Sequence, residues 1–194
     1  APARVSLAAD GVATLHDNHN QLITLTATSG TVSQDITTSA NLTPVVGDVD
    51  LGNTVGMAHP DRGPGETFEM PLRINAGSQK LGAFDVTFTY DPEVIQALSG
   101  SVAPGWKTQT VDISVNDPPG TVRIVGVANV GTSFSGVQHV GSVSFLALKG
   151  EETTTAIAGT IQKLLDVTVD KAPIGEPLGA GETRAIVAGA GLLD

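Results

Sequence analysis

The sequence predicts an all-β protein built as an antiparallel β-sandwich, and three observations carry the prediction. The first is a period of two in hydrophobicity. One run places Phe68, Met70, Leu72 and Ile74 on one face and Thr67, Glu69, Pro71 and Arg73 on the other. A second sets Phe84, Val86, Phe88 and Tyr90 against Asp85, Thr87 and Thr89. Side chains of a strand alternate faces, so this pattern means sheets with one wet side. The second is punctuation: turn residues recur at roughly 8–12-residue spacing, with no convincing amphipathic helix between them. The third is composition. Apolar residues make up 40% and aromatics only 4%, so the core must be built from Val, Ile, Leu and Ala, and β-branched residues suit a pleated surface.

Taken in order, Arg4 to Ala9, Val12 to Asp17, Leu22 to Gly30 and Thr31 to Leu42 read as short strands. Asp10-Gly11 and the polar run Asn18-His19-Asn20-Gln21 split them, because such residues form tight turns. Asn41 to Asp50 reads as a linker, since Pro44 ends a strand and Gly47 permits a bend. Thr67 to Ile74 is a strand whose Pro71 cannot donate a ladder bond, so it is expected at a sheet edge or a bulge. Phe84 to Tyr90 follows after a Gly- and Ser-containing turn. Pro92 to Leu98 reads as one helical turn capped by Asp91. Thr121 to Asn129, His139 to Lys149, Gly159 to Val169 and Thr183 to Ala188 supply the remaining strands, with turns at Asp61–Gly65, Asn116–Gly120 and Lys149–Glu152.

Charge narrows the function. Against 20 Asp and Glu stand 10 Lys and Arg, a net of -10. That surface argues against nucleic acid, whose phosphates need a basic face, and against an anionic membrane. Without cysteine there are no disulfides, no thiol catalysis and no cysteine-based zinc site. No segment reaches the roughly 20 apolar residues of a membrane helix, Ala185 to Leu193 being short and broken by glycine. A start at Ala1 without methionine is expected of a processed product or of a piece of a longer chain. Few charges with abundant Thr, Ser and Gly suit an extracellular or cell-surface protein.

The candidate sites each carry two readings. His16, Asp17 and His19 suit a divalent ion or a solvated hairpin loop; the loop is expected, because no further ligand pair is spaced to join them. Asp48 and Asp50 offer hard oxygens for calcium, which takes roughly six to eight. No Asp-x-Asp-x-Asp-Gly loop accompanies them, so a plain acidic linker is expected, with interdomain calcium as the alternative, and no metal or cofactor is assigned. Asp85, Asp91 and Glu93 lack the facing arrangement of a glycosidase pair, and Asp91 reads as an Asx turn. Nucleophile-elbow and phosphate-loop motifs are absent from the sequence, so a non-enzyme is expected. Trp106, the single tryptophan, is either a glycan-stacking platform or a plug for one end of the core. Asn41-Leu42-Thr43 is an N-glycosylation sequon.

Two resemblances follow from these motifs. Gly65-Glu66-Thr67, the strand ending Pro71-Leu72-Arg73-Ile74, and Leu81 to Ile95 resemble the first half of a cohesin domain. Thr121 to Asn129 resembles its middle core strand, and His139 to Lys149 its long central strand. Asp10 to Thr14 followed by Leu22 to Gly30 is similar to the second half of a bacterial-type immunoglobulin-like domain. Residues 45–194 are therefore expected to form a cohesin-like jelly-roll sandwich, and residues 1–44 a partial Ig-like β-segment. About four strands cannot close a sandwich alone. The missing ones belong to a longer parent chain, the favoured reading, or to neighbouring copies.

The cohesin resemblance implies binding of calcium-loaded dockerin modules through one sheet face, with Asp85, Thr87, Thr89 and Arg123 as candidate contacts. The asparagine usual in the family two positions before Asp85 is Ala83 here, so half of that polar pair is missing. The pairing of modules implies instead a non-enzymatic adhesion or structural module of a large surface or filament protein. Such a module acts through contacts with a protein partner or neighbouring copies. A carbohydrate-binding module and a dockerin-binding cohesin are the alternatives.

Overall fold

The structure, a computed structural model, describes residues 5–7, 13–15, 19–29, 32–40, 44, 46–55, 59–60, 62–149, 155, 157–168, 170, 172–175 and 184–185. The N-terminal strands are β1 (Val5–Leu7), β2 (Ala13–Leu15), β3 (His19–Ser29) and β4 (Val32–Ala40). They form two antiparallel hairpins, β1 with β2 and β3 with β4. His16, Asp17 and Asn41 lie outside the described residues. His19 opens β3, where it pairs with Ala40, instead of sitting in the expected polar loop.

The remaining strands are β5 (Val49–Asp50), β6 (Thr67–Asn75), β7 (Leu81–Thr89), β8 (Ile95–Val102), β9 (Thr110–Val115), β10 (Thr121–Val127), β11 (Val137–Ala147), β12 (Ala158–Asp166) and β13 (Arg184–Ala185). They build two antiparallel sheets, a four-stranded one in the order β5-β6-β11-β8 and a five-stranded one in the order β13-β12-β7-β10-β9. This is an all-β, two-sheet antiparallel sandwich. Its core follows the alternation: Phe68, Met70, Leu72 and Ile74 of β6 are buried, as are Phe84, Val86 and Phe88 of β7. Phe145 of β11 stacks on Phe68 with centroids 5.6 Å apart and meets Tyr90 edge-on at 5.1 Å. Burying each such side chain contributes about 1.5–3 kcal/mol.

Pro71 sits where the sequence requires it. β5 pairs only with Ile74 and Arg73, so the stretch of β6 that holds Pro71 has β11 as its one described strand neighbour. Gly126 of β10 lies directly across from Phe84, and a Cβ there would collide with the Phe84 ring. The glycine makes room for a large inward ring in a core short of aromatics.

Two expectations change. Asn41 to Asp50 is not simply a linker, because Val49 and Leu51 are fully buried and β5 joins the four-stranded sheet. Pro92 to Leu98 is a helical turn only at its start, where the Asp91 carbonyl accepts from the Val94 and Ile95 N–H groups, each at 3.1 Å. The chain turns at Pro92–Val94, and Ile95 already begins β8, with Ile95 and Ala97 buried and Gln96 and Leu98 exposed. Asp91 does make its Asx turn, its Oδ1 accepting from the Glu93 N–H at 2.8 Å.

Candidate partner-binding face

The outer face of the five-stranded sheet is set by register. Ala83, Asp85, Thr87 and Thr89 alternate with the buried residues of β7 and so point away from the core. On β10, Val127 lies opposite Ala83, Val125 opposite Asp85, Arg123 opposite Thr87 and Thr121 opposite Thr89. The four candidate residues Asp85, Thr87, Thr89 and Arg123 therefore share one patch.

Within that patch Asp85 is engaged by its own chain. Arg123 grips it in a fork, Nε donating to Oδ1 at 3.0 Å and an Nη to Oδ2 at 2.7 Å. The hydrogen bonds and charge of Asp85 hold the Arg123 guanidinium's pKa above its ordinary value. The side chain of Asp85 is only 12% exposed while that of Arg123 is 53% exposed, so the arginine is what the face presents. A bulge in β12 adds to this. Between Ile161 and Lys163 the register slips, which brings Gln162 in as an extra residue beside Asp85. With its amide turned so that Nε2 faces the carboxylate, Gln162 donates to Oδ1 at 3.0 Å and to Oδ2 at 3.2 Å. Bulges re-aim side chains in this way, and a strand reading of the sequence has no signal for one here. Beside the pair, a shallow recess of about 280 Å³ lies over Thr87, Thr89, Gly159 and Thr160.

At one end of the face is a hollow of about 200 Å³, lined chiefly by Gly82, Ala83, Val127, Ala128, Val130 and Val167, with Asn129, Asp166 and Thr168 completing it. Gly82 lies so close to the backbone of Asp166 that a Cβ there would collide with the Asp166 carbonyl. The sequence marked Ala83 only as a departure from a family pattern, and gave no sign of the hollow beside it.

Trp106 answers to the plug reading and not to the platform. It is 1% exposed in a short 3-10 helix (Pro104–Trp106), edge-on to Phe84 at 5.3 Å and stacked on Phe134 at 4.3 Å. Its indole face is covered, so it offers no surface to a sugar ring; the core needed a large ring over Phe84 more than the surface needed one. Its Nε1 has no hydrogen-bond partner among the described residues.

Asp48 and Asp50 are buried in the sandwich. Asp50 Oδ1 accepts from the Gly52 N–H at 2.8 Å, and Oδ2 stands 3.9 Å from Arg73. Arg73 also donates to the carbonyls of Gly52 at 2.8 Å and Asn53 at 3.2 Å. Asp50 thus serves the turn after β5. Among the described residues no three His, Cys, Asp or Glu side chains are grouped to hold a metal ion, and no helix is long and apolar enough to cross a membrane.

Comparison with known proteins places this architecture. The family model described as cohesin domain matches residues 54–172. No curated protein sequence matches the chain. Among solved structures, the chain is similar to the type I cohesin–dockerin complex Coh-OlpA-Doc918 from Clostridium thermocellum, at 10% identity and a TM-score of 0.51, over 70% of this chain and 94% of that one. It is similar to the Coh-OlpC-Doc435 complex of the same organism at 13% identity and a TM-score of 0.51, over 70% and 89%. It is also similar to a cohesin module from a Clostridium perfringens family 33 glycoside hydrolase at 15% identity and a TM-score of 0.50, over 74% and 96%. At these identities the structures support the sandwich alone. The family model reaches further, spanning β6 to β12 and with them four of the five strands of the outer-face sheet. Matched over more than half of its length, the chain belongs to the cohesin domain family, whose modules are non-catalytic binding modules.

Proposed function

We propose that this chain is a dockerin-binding cohesin module that docks a dockerin-bearing protein through the outer face of its five-stranded sheet, with Thr87, Thr89 and Arg123 at the centre. The observation that carries the reading is the family match across every strand from β6 to β12. Two of the similar structures are cohesin–dockerin complexes. The geometry supports it as well: small hydroxyl side chains and a neutralised carboxylate leave a surface with few charges to desolvate, as the centre of an interface needs. This displaces the adhesion or structural reading as the first choice.

The setting goes with that reading. Cohesins are typically extracellular, and the segment before residue 44, similar to part of an immunoglobulin-like domain, would make this a module of a multidomain surface protein or of a filament of repeated copies. The matched family model begins only at residue 54. A carbohydrate-binding role has lost its main support, because Trp106 is covered.

The test is calorimetric titration of the 194-residue chain with a panel of calcium-loaded dockerins. Binding to at least one is expected. Thr87→Arg, at the centre of the face, should weaken it by about 100-fold, as a disrupted hot spot does, while Ser142→Arg on the other sheet should change it by less than about 2-fold. The reading is overturned if no dockerin binds, or if the Ser142 variant loses binding and the Thr87 variant keeps it.

A further inference from the structure

We propose that the hollow at Gly82 and Ala83 is the specificity pocket of this face, and that it takes one aliphatic side chain of leucine or isoleucine size from the protein partner. The proposal rests on the outer face being the partner-binding surface, and adds what the partner must present there.

Size argues first. About 200 Å³ falls below the roughly 300–1,000 Å³ typical of small-molecule sites, yet leaves room for a branched side chain. Chemistry argues next. The walls are aliphatic, and several of the polar atoms at the rim are committed within the chain. Asp166 Oδ1 accepts from the N–H groups of Thr168 and Ala172, each at 3.0 Å, and from the Thr168 hydroxyl. Asn129 donates its N–H to Gln109 Oε1 at 2.6 Å and its Nδ2–H to the Thr108 carbonyl at 2.7 Å. Asp166 Oδ1 and the Asn129 N–H donors are thus taken within the chain, which leaves the aliphatic walls as the larger part of the lining.

The hollow is also preformed. The Ala128 N–H donates to the Gly82 carbonyl at 2.7 Å and the Val167 N–H to the Lys80 carbonyl at 2.9 Å, which fixes both walls against β7. Val130 is fully exposed at its edge and Val127 half-exposed. Folding alone does not use these side chains, and apolar residues clustered beside a concavity mark contact sites.

Charge names the kind of occupant. The chain carries a net -10, yet on the outer face of β9, β10, β7 and β12 the acids Asp112 and Asp85 are balanced by Arg123 and Lys163, with Asp166 at the hollow's rim as one further acid. A patch so close to neutral beside an aliphatic hollow complements a protein surface of few charges that leads with an apolar side chain. Asp85, already holding Arg123 and Gln162, has little acceptor capacity to offer a partner hydroxyl. Recognition therefore shifts from the carboxylate to the hollow.

Two arms test this on the full chain. In the first, the ¹⁵N-labelled protein is titrated with N-acetyl-leucine methylamide, and with N-acetyl-serine methylamide as control. The leucine probe is expected to give saturable shifts at Gly82, Ala83, Val127 and Val130, with affinity about 10-fold above the serine probe. Equal responses, or shifts that map elsewhere, overturn the proposal.

In the second arm, a dockerin that binds the chain is titrated against variants. Ala83→Phe, which fills the hollow, should cost about 30-fold in affinity, and Val130→Asp, at a fully exposed position and with an unchanged urea melt as its folding control, about 10-fold, against about 3-fold or less for Asp85→Asn. Unchanged affinity in both hollow variants overturns the pocket while leaving dockerin binding in place. If no dockerin binds but the leucine shifts appear at the hollow, the partner class is wrong and the pocket's chemistry stands.

Discussion

Two aspartate–arginine pairs, one in each sheet of this sandwich, sit in different circumstances. Asp85 and Arg123 lie on the outer face of the five-stranded sheet, joined by a short two-point fork, with the arginine side chain 53% exposed. Asp50 and Arg73 stand directly across from each other on β5 and β6, 3.9 Å apart, with side chains 2% and 17% exposed. The shorter pair is the wetter one. The longer pair holds structure, because its members also satisfy the turn after β5, Asp50 through the Gly52 N–H and Arg73 through the carbonyls of Gly52 and Asn53. Contact distance is therefore a poor guide to what an ion pair does for stability. Burial, and the backbone groups left stranded without it, decide the matter.

The sharpest break of the comparison is Asp50→Ala. It removes the acceptor of a buried N–H and the counter-charge of Arg73 together, and should lower unfolding free energy by about 2–4 kcal/mol, read from urea denaturation.

A smaller effect comes from His59, packed in the same region. It is 1% exposed, and its Nε2 donates to the Leu51 carbonyl at 2.9 Å. Burial pushes its pKa below the ordinary 6.5, the Leu51 hydrogen bond opposes the shift, and Arg62 and Arg73 push it down further. The folded state therefore binds fewer protons than the unfolded one between that lowered value and 6.5. Stability is full above about pH 6.5 and falls as the pH drops toward the folded value, by at most about 1.4 kcal/mol per pH unit from this group. His59→Gln should flatten that part of the profile in urea melts at successive pH values. His139 is shifted downward too, by burial first, and contributes in the same sense.

The smallest effect should be that of Arg123→Ala. Its thermal midpoint is expected to move less than that of Asp50→Ala, because exposed pairs are screened by water and salt. A larger loss from the Arg123 variant would reverse the comparison.

The legible parts of this molecule were those that repeat. Phe84, Val86 and Phe88 announce their face by alternation, and Pro71 announces its open edge by lacking an N–H. The illegible parts depend on single residues in three-dimensional company. Asp91 and Pro92 look like the start of a helix, yet Ile95 to Leu98 alternates as a strand, and the cap signal outweighed a pattern only four residues long. Val49 to Leu51 is too short to show any period, so its burial could not be read. At the candidate face, Asp85, Thr87, Thr89 and Arg123 were placed together by register alone. The Gln162 bulge and the hollow beside Ala83 arise from strand slippage and a close backbone approach, neither of which leaves a pattern along the chain.

The short β5 has a mechanical consequence. Tension applied to the chain ahead of residue 44 reaches the sandwich through a strand with only two ladder positions. Asn75 reinforces that anchorage, its Nδ2–H reaching the Pro44 carbonyl at 2.9 Å while its main chain bonds Gly47 and Asp48. Behind β5 lie the bonds of Arg73 to Gly52 and Asn53. These bonds, added to the two ladder positions of β5, are what holds the start of the sandwich against such a pull.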